Sequence, residues 1–124
     1  MLLMKLHNTA RGAVAAIVFA ASQLALAHAY PTHQTPGAGS NVATSPKNVA
    51  IDFDNALEPA FSSIAVTDAQ GNAVTSGKAV VDASNAKHMS VSVNPLKPGD
   101  YTVAWVAVAE DGHRTQGHYR FTVK

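Results

Sequence analysis

The chain has 124 residues, no Cys, 14% charged residues and a formal net charge of +1, and 47% of its residues are hydrophobic. That length holds one domain, and the lack of Cys excludes disulfide scaffolds, zinc ribbons, thiol redox chemistry and iron–sulfur clusters. Nine Lys and Arg against eight Asp and Glu, with no block of like charge, cannot neutralise a run of phosphates, so no nucleic acid is expected as a partner.

The first element in chain order is a leader. Lys5 and Arg11 precede the apolar run from Ala13 to Ala21, followed by Ser22, Gln23 and the small-residue stretch Ala25-Leu26-Ala27. Basic, apolar and small segments in that order make a secretory signal peptide. A transmembrane helix would need about 20 apolar residues, and this run is interrupted too early. Cleavage after Ala27 leaves His28 first, whereas the alternative register Ala27-His28-Ala29 leaves Tyr30 first, and both fit. The division is therefore a signal peptide at 1–27 and a β domain at 28–124. With no second hydrophobic segment and no lipid-attachment Cys, the exported product is expected in the periplasm.

Beyond the leader the pattern alternates with period two, and no stretch sustains a helical period. An extended segment at 32–34, bounded by Pro31, Pro36, Gly37 and Gly39, reads as an irregular edge strand, where Pro is tolerated. Val49, Ile51 and Phe53 alternate with polar or small residues, as do Ile64 and Val66. A short strand follows at 79–81. Met89, Val91 and Val93 alternate with Ser90 and Ser92. The segment 101–109 is long enough for a central strand, with Trp105 as the expected centre of the core, and Tyr119, Phe121 and Val123 end the chain on one face. Turns are read at Asp68 to Asn72, Asn94 to Asp100 and Asp111-Gly112. About seven strands in one small domain predict an all-β fold: a seven-stranded Greek-key immunoglobulin-like sandwich or a small β-barrel.

Six His occur, one of them, His7, in the leader. His88 and His118 fall opposite the apolar faces of their strands and read as solvated residues. His33 reads as an edge-strand residue or an extra ligand near the terminus. His28 and His113 carry the chemistry. If His28 is first, its α-amine and imidazole Nδ1 can close a chelate ring on one ion with little chain entropy lost. The divalent ion that best displaces the amine proton among nitrogen donors in a tetragonal plane is Cu(II). Asp111-Gly112-His113 adds a carboxylate and an imidazole at i and i+2 across a glycine turn. Most such triplets are plain turns, and the terminal His is what makes this one specific. The candidate metal ligands are thus His28, Asp111 and His113.

These motifs recur in a known order: His28-Ala29, Thr35-Pro36-x-x-Gly39, Phe53 leading to Glu58-Pro59-Ala60-Phe61-Ser62, the Asp68 to Val74 hairpin, Pro98-Gly99-x-Tyr101-Thr102-Val103-x-Trp105, Glu110-Asp111-Gly112-His113 with Gly117, and Phe121-Thr122-Val123. The chain resembles the CopC family of periplasmic copper-resistance proteins over essentially the whole exported domain. The resemblance implies a seven-stranded β fold that binds Cu(II) through the N-terminal His and the Asp and His of the turn, which fall on His28, Asp111 and His113. It implies a monomeric Cu(II) carrier or buffer, not an enzyme and without a small-molecule substrate. Such a protein serves copper resistance or delivery to an inner-membrane importer of the CopD type.

Three departures stand out. Many relatives have Phe-Ser-Glu where this chain has Phe53-Asp54-Asn55, so a carboxylate is missing at Asn55. Relatives often begin His-x-His, and Tyr30 stands at the second of those positions. Some carry a Met-rich Cu(I) loop, whereas Met89, expected to face inward, is the one Met beyond the leader; thioethers select Cu(I), so a Cu(II)-only protein is expected. Two other classes compete with the carrier reading. A copper oxygenase would use His28 and a second His as a brace, and would need an open coordination position and a substrate platform. A metal-free immunoglobulin-like assembly domain would not depend on His28 at all.

Overall fold

The computed structural model describes residues 28–124; the signal peptide read at 1–27 lies outside the described residues. Eight strands follow one another, β1 Pro31–Thr35, β2 Asn41–Val42, β3 Asn48–Phe53, β4 Ser63–Thr67, β5 Val80–Asp82, β6 Asn85–Ser92, β7 Gly99–Val108 and β8 Arg114–Val123. They form two four-stranded sheets, ordered β1-β3-β6-β5 and β2-β8-β7-β4. Of the two expected architectures, the sandwich is the one present. The strand count rises from seven to eight because of β2, which pairs in parallel with the end of β8 through Asn41 with Thr122 and Val42 with Val123. Two residues are too few to show alternation, and their partner comes from the other end of the domain.

Period-two burial is what the hydrophobic pattern demands when one face of each sheet meets the other sheet. Val49, Ile51 and Phe53 on β3 are buried, as are Met89 and Val91 on β6 and Val103, Trp105 and Ala107 on β7. Met89 is fully covered, as expected from its phase. Trp105 is buried in the core, though less completely than Phe121, Ile51 or Leu57, and its ring is edge-on to Phe53 at 5.4 Å between centroids. Its register partner on β8 is Gly117, where an added Cβ would come within 2.7 Å of the indole. The missing side chain at 117 is therefore what lets the large ring lie across β8 in a close-packed interior. Tyr119 is also buried, and its hydroxyl has no hydrogen-bond partner. Burial pushes its phenol up to about 12.

The predicted turn from Asp68 to Asn72 is closed by its own side chain. Asp68 Oδ1 accepts from the backbone N–H of Gln70 at 3.0 Å and of Asn72 at 2.9 Å, while Gly71 takes φ 82°, the left-handed region that glycine enters without penalty. β7 and β8 form the long hairpin of the molecule, paired from Gly99 with Val123 to Val108 with Arg114. Their connection, residues 109–113, is thereby held at one end of the sandwich, beside the start of β1.

Candidate metal centre

The segment entering β1 is tied to both sheets. The carbonyl of His28 accepts from Asn55 Nδ2 at 2.6 Å, just past β3 in the first sheet. Ala29 is fully buried, and its carbonyl accepts from the hydroxyl of Thr115 on β8 in the second sheet at 2.5 Å. Tyr30 and Asp54 exchange two bonds: the Tyr30 N–H donates to Asp54 Oδ1 at 2.8 Å, and the Asp54 N–H donates to the Tyr30 carbonyl at 3.0 Å. Four bonds around three residues fix where the His28 ring can point.

Opposite it stands the β7–β8 turn. The Gly112 N–H donates to the Ala109 carbonyl at 2.8 Å, and the Ala109 N–H donates to the His113 carbonyl at 2.9 Å. Gly112 takes φ 90°, a conformation strained for any residue with a Cβ. The Asp111 carboxylate closes the turn, with Oδ1 accepting the His113 N–H at 3.0 Å and Oδ2 lying 2.9 Å from His113 Nδ1. These contacts hold the Asp111 carboxyl below the usual range; the backbone N–H of His113 contributes most, then its imidazole, with the charges of His113 and His28 adding to it. An ionised carboxylate only accepts, so Nδ1 of His113 is the donor, and in the neutral ring Nε2 is left as the acceptor. Carboxylate on one nitrogen and metal on the other is the usual arrangement of metal-binding histidines.

The rings of His28 and His113 meet edge to face, 4.9 Å between centroids. The three residues singled out in the sequence, His28, Asp111 and His113, thus come together from opposite ends of the domain. The side chains of His113 and Asp111 are 55% and 35% exposed, so the cluster opens to solvent. Among the described residues no three His, Cys, Asp or Glu side chains form a ready-made metal cage. The other histidines lie elsewhere. His33 is exposed on β1 and His118 on β8, while His88 bonds Asp52 across the β3–β6 pair at 2.6 Å. Sequence reading missed the anchoring roles of Asn55 and Thr115. Asn55 drew notice only for the carboxylate it lacks, and a contact such as Thr115 to Ala29 has no local signal.

The CopC domain model matches residues 31–124. The chain belongs to the CopC family. Protein YobA of Escherichia coli strain K12 is 37% identical over 99 residues, covering 79% of this chain and 80% of YobA. The crystal structure of CopC from Methylosinus trichosporium OB3b aligns with a TM-score of 0.74 at 34% identity, over 78% of this chain and 94% of that one. PcoC from Escherichia coli, described as a methionine-rich copper resistance protein, aligns with a TM-score of 0.66 at 33% identity, over 79% and 100%. CopC-family proteins are periplasmic copper-binding resistance proteins and not enzymes. The matched span begins at Pro31, and His28, just before it, is positioned by its contacts with Asn55 and His113. Against methionine-rich PcoC, this CopC-family chain has in its described residues the single, buried Met89.

Proposed function

We propose that the exported protein begins at His28 and carries one Cu(II) ion, which it buffers for copper resistance or hands to an inner-membrane importer of the CopD type. The α-amine and Nδ1 of His28 and Nε2 of His113 supply nitrogen donors. Asp111 supplies the carboxylate, acting first through His113 by holding its ring and tautomer. The observation that carries this reading is the approach of the His28 and His113 rings to 4.9 Å, with Asp111 already on the other nitrogen of His113. Nitrogen and oxygen donors without an accessible thioether favour Cu(II) over Cu(I). Binding is the whole mechanism, and an open, surface-exposed site suits an ion that must be passed on.

Two measurements on protein recovered from the periplasm test this. Its intact mass should correspond to a chain starting at His28, and one equivalent of Cu(II) should give a tetragonal, nitrogen-rich EPR signal. A chain starting at Tyr30, or copper bound without imidazole nitrogens, contradicts the proposal.

A further inference from the structure

The exposed face of the β1-β3-β6-β5 sheet carries a second Asp–His pair that the terminal site does not use. Asp52 on β3 and His88 on β6 are register partners, and Nδ1 of His88 lies 2.6 Å from Oδ1 of Asp52. Their side chains remain 40% and 34% exposed, so solvent reaches both. On the other flank of Asp52 the register places His33 of β1, itself exposed. The next register row, Gln34 with Ile51 and Ile51 with Met89, points into the core, since Ile51 and Met89 are fully buried. Alternation therefore puts His33, Asp52 and His88 together on the outer face, in one row across three neighbouring strands. Directly opposed residues of such strands have Cβ atoms about 4.5–5.5 Å apart.

The chemistry of the row suits a metal. A carboxylate only accepts, so Nδ1 of His88 is the donor to Asp52, and in the neutral ring Nε2 is left as the acceptor, as at His113. A second carboxylate stands near: Asp82, at the end of β5, is held below the usual range first by the Ser84 N–H, then by the Ser84 hydroxyl, and also by the charge of His88. Two imidazoles and a carboxylate favour borderline divalent ions over the oxygen-seeking Ca(II) and Mg(II) or the thioether-seeking Cu(I).

We propose that His33, Asp52 and His88 form a second divalent-metal site, for Zn(II) or Cu(II), weaker than the terminal one. The three side chains do not yet converge on a point, so the exposed His33 ring must swing over Asp52 to close it. The reach is sufficient. Two strand spacings separate the flanking histidines by roughly 9–10 Å, and two imidazoles with metal–nitrogen bonds of about 2.0–2.1 Å span that gap. Ordering a free side chain on an edge strand is the cost that makes the site weak. His28 meets His113 at the β7–β8 turn, whereas His33 pairs with Asp52 on the outer face of the first sheet, so the two sites are separate. The row takes up metal once the terminal site is full, which adds capacity to a buffer. It stands whether or not the reading of His28 holds.

Titrating the exported protein with Zn(II) while following each histidine ring by NMR tests this. The His33 and His88 signals should move together and saturate at one ion for the pair, whatever His28 and His113 do. His33→Ala and His88→Ala should each weaken this event by tenfold or more. Asp52→Asn, which keeps the shape but removes the charge, should weaken it by about 10–100-fold. His118→Ala, on the other sheet, should leave it unchanged. Circular dichroism checks that the variants fold; should Asp52→Asn fail, the exposed edge residue His33 decides alone. If His33 and His88 respond separately, or no earlier than His118, there is no site there, and that result leaves the terminal site untouched.

Discussion

Two Asp–His pairs in this molecule make nearly the same contact by opposite routes. Asp111 and His113 sit in one turn, with Oδ2 and Nδ1 2.9 Å apart; Asp52 and His88 belong to different strands and meet at 2.6 Å. The first contact is generated by spacing, because a carboxylate two residues before a backbone N–H caps it and brings the i+2 side chain alongside. The second exists only because β3 and β6 pair in one register. What separates the two is the third group. His28 is delivered to His113 by Asn55 and Thr115, which hold the successive carbonyls of His28 and Ala29, whereas His33 must still turn toward Asp52. The comparison teaches that register or spacing alone can orient an imidazole, while bringing a second imidazole to it takes separate anchors, which only the turn pair has.

The largest separation between the pairs should appear in Cu(II) affinity. His113→Ala should weaken the tight site by more than the 10–100-fold that removing an outer-shell partner typically costs, and Asp111→Asn by about 10–100-fold. Competition against a chelator of known affinity reads both. Equal losses for the two would mean that Asp111 is a ligand on the same footing as His113.

A stability variant away from both pairs sharpens the contrast between folding and binding. Gly117→Ala forces a Cβ against Trp105 and should cost about 1–3 kcal/mol, the usual range for overpacking. Denaturant unfolding should show that loss, with Cu(II) affinity unchanged. Because Trp105 is packed beneath β8 and the proposed ligands Asp111 and His113 lie in the turn beyond it, a parallel fall in affinity would show that the turn depends on core packing.

In the metal-free protein the local pair should announce itself in acid. Backbone N–H groups depress the folded-state carboxyls of Asp111 and Asp68. The stabilisation they give is therefore complete above the unfolded value of about 3.9 and is lost as pH falls through the lower folded value. Carboxyl NMR titration should place both below the ordinary Asp range; midpoints at or above it would mean that the turns are not closed as described.

The smallest effect is expected from the cross-strand pair. His88→Ala should leave the tight Cu(II) site unchanged and cost about 0.2–1 kcal/mol, as half-exposed ion pairs and cross-strand pairs do. Thermal unfolding together with the chelator competition reads this, and a loss of tight-site affinity matching that of His113→Ala would erase the distinction between the pairs.

Legibility in the sequence followed the same division. Alternation at Val49-Ile51-Phe53 and Tyr119-Phe121-Val123 shows faces because period two is local, and the glycine turns are local too. β2 stayed hidden because Asn41–Val42 takes its identity from the distant Thr122 and Val123. At the site, His28 and Asp111-x-His113 were legible from amine chemistry and turn spacing. Asn55, Thr115 and the row His33, Asp52 and His88 were not, since each depends on register between strands far apart in the chain.

The central claim is that the α-amine of His28 is a copper donor, and one titration tests it most directly. Cu(II) is titrated against a competing chelator for protein beginning at His28 and for protein carrying one additional residue before it. The extra residue converts the amine to an amide and breaks the chelate ring, while Asn55, Thr115 and the core remain as they are. The account predicts the same fold for both and a loss of affinity by orders of magnitude in the extended form. Equal affinities would contradict it and place the ion elsewhere in the molecule.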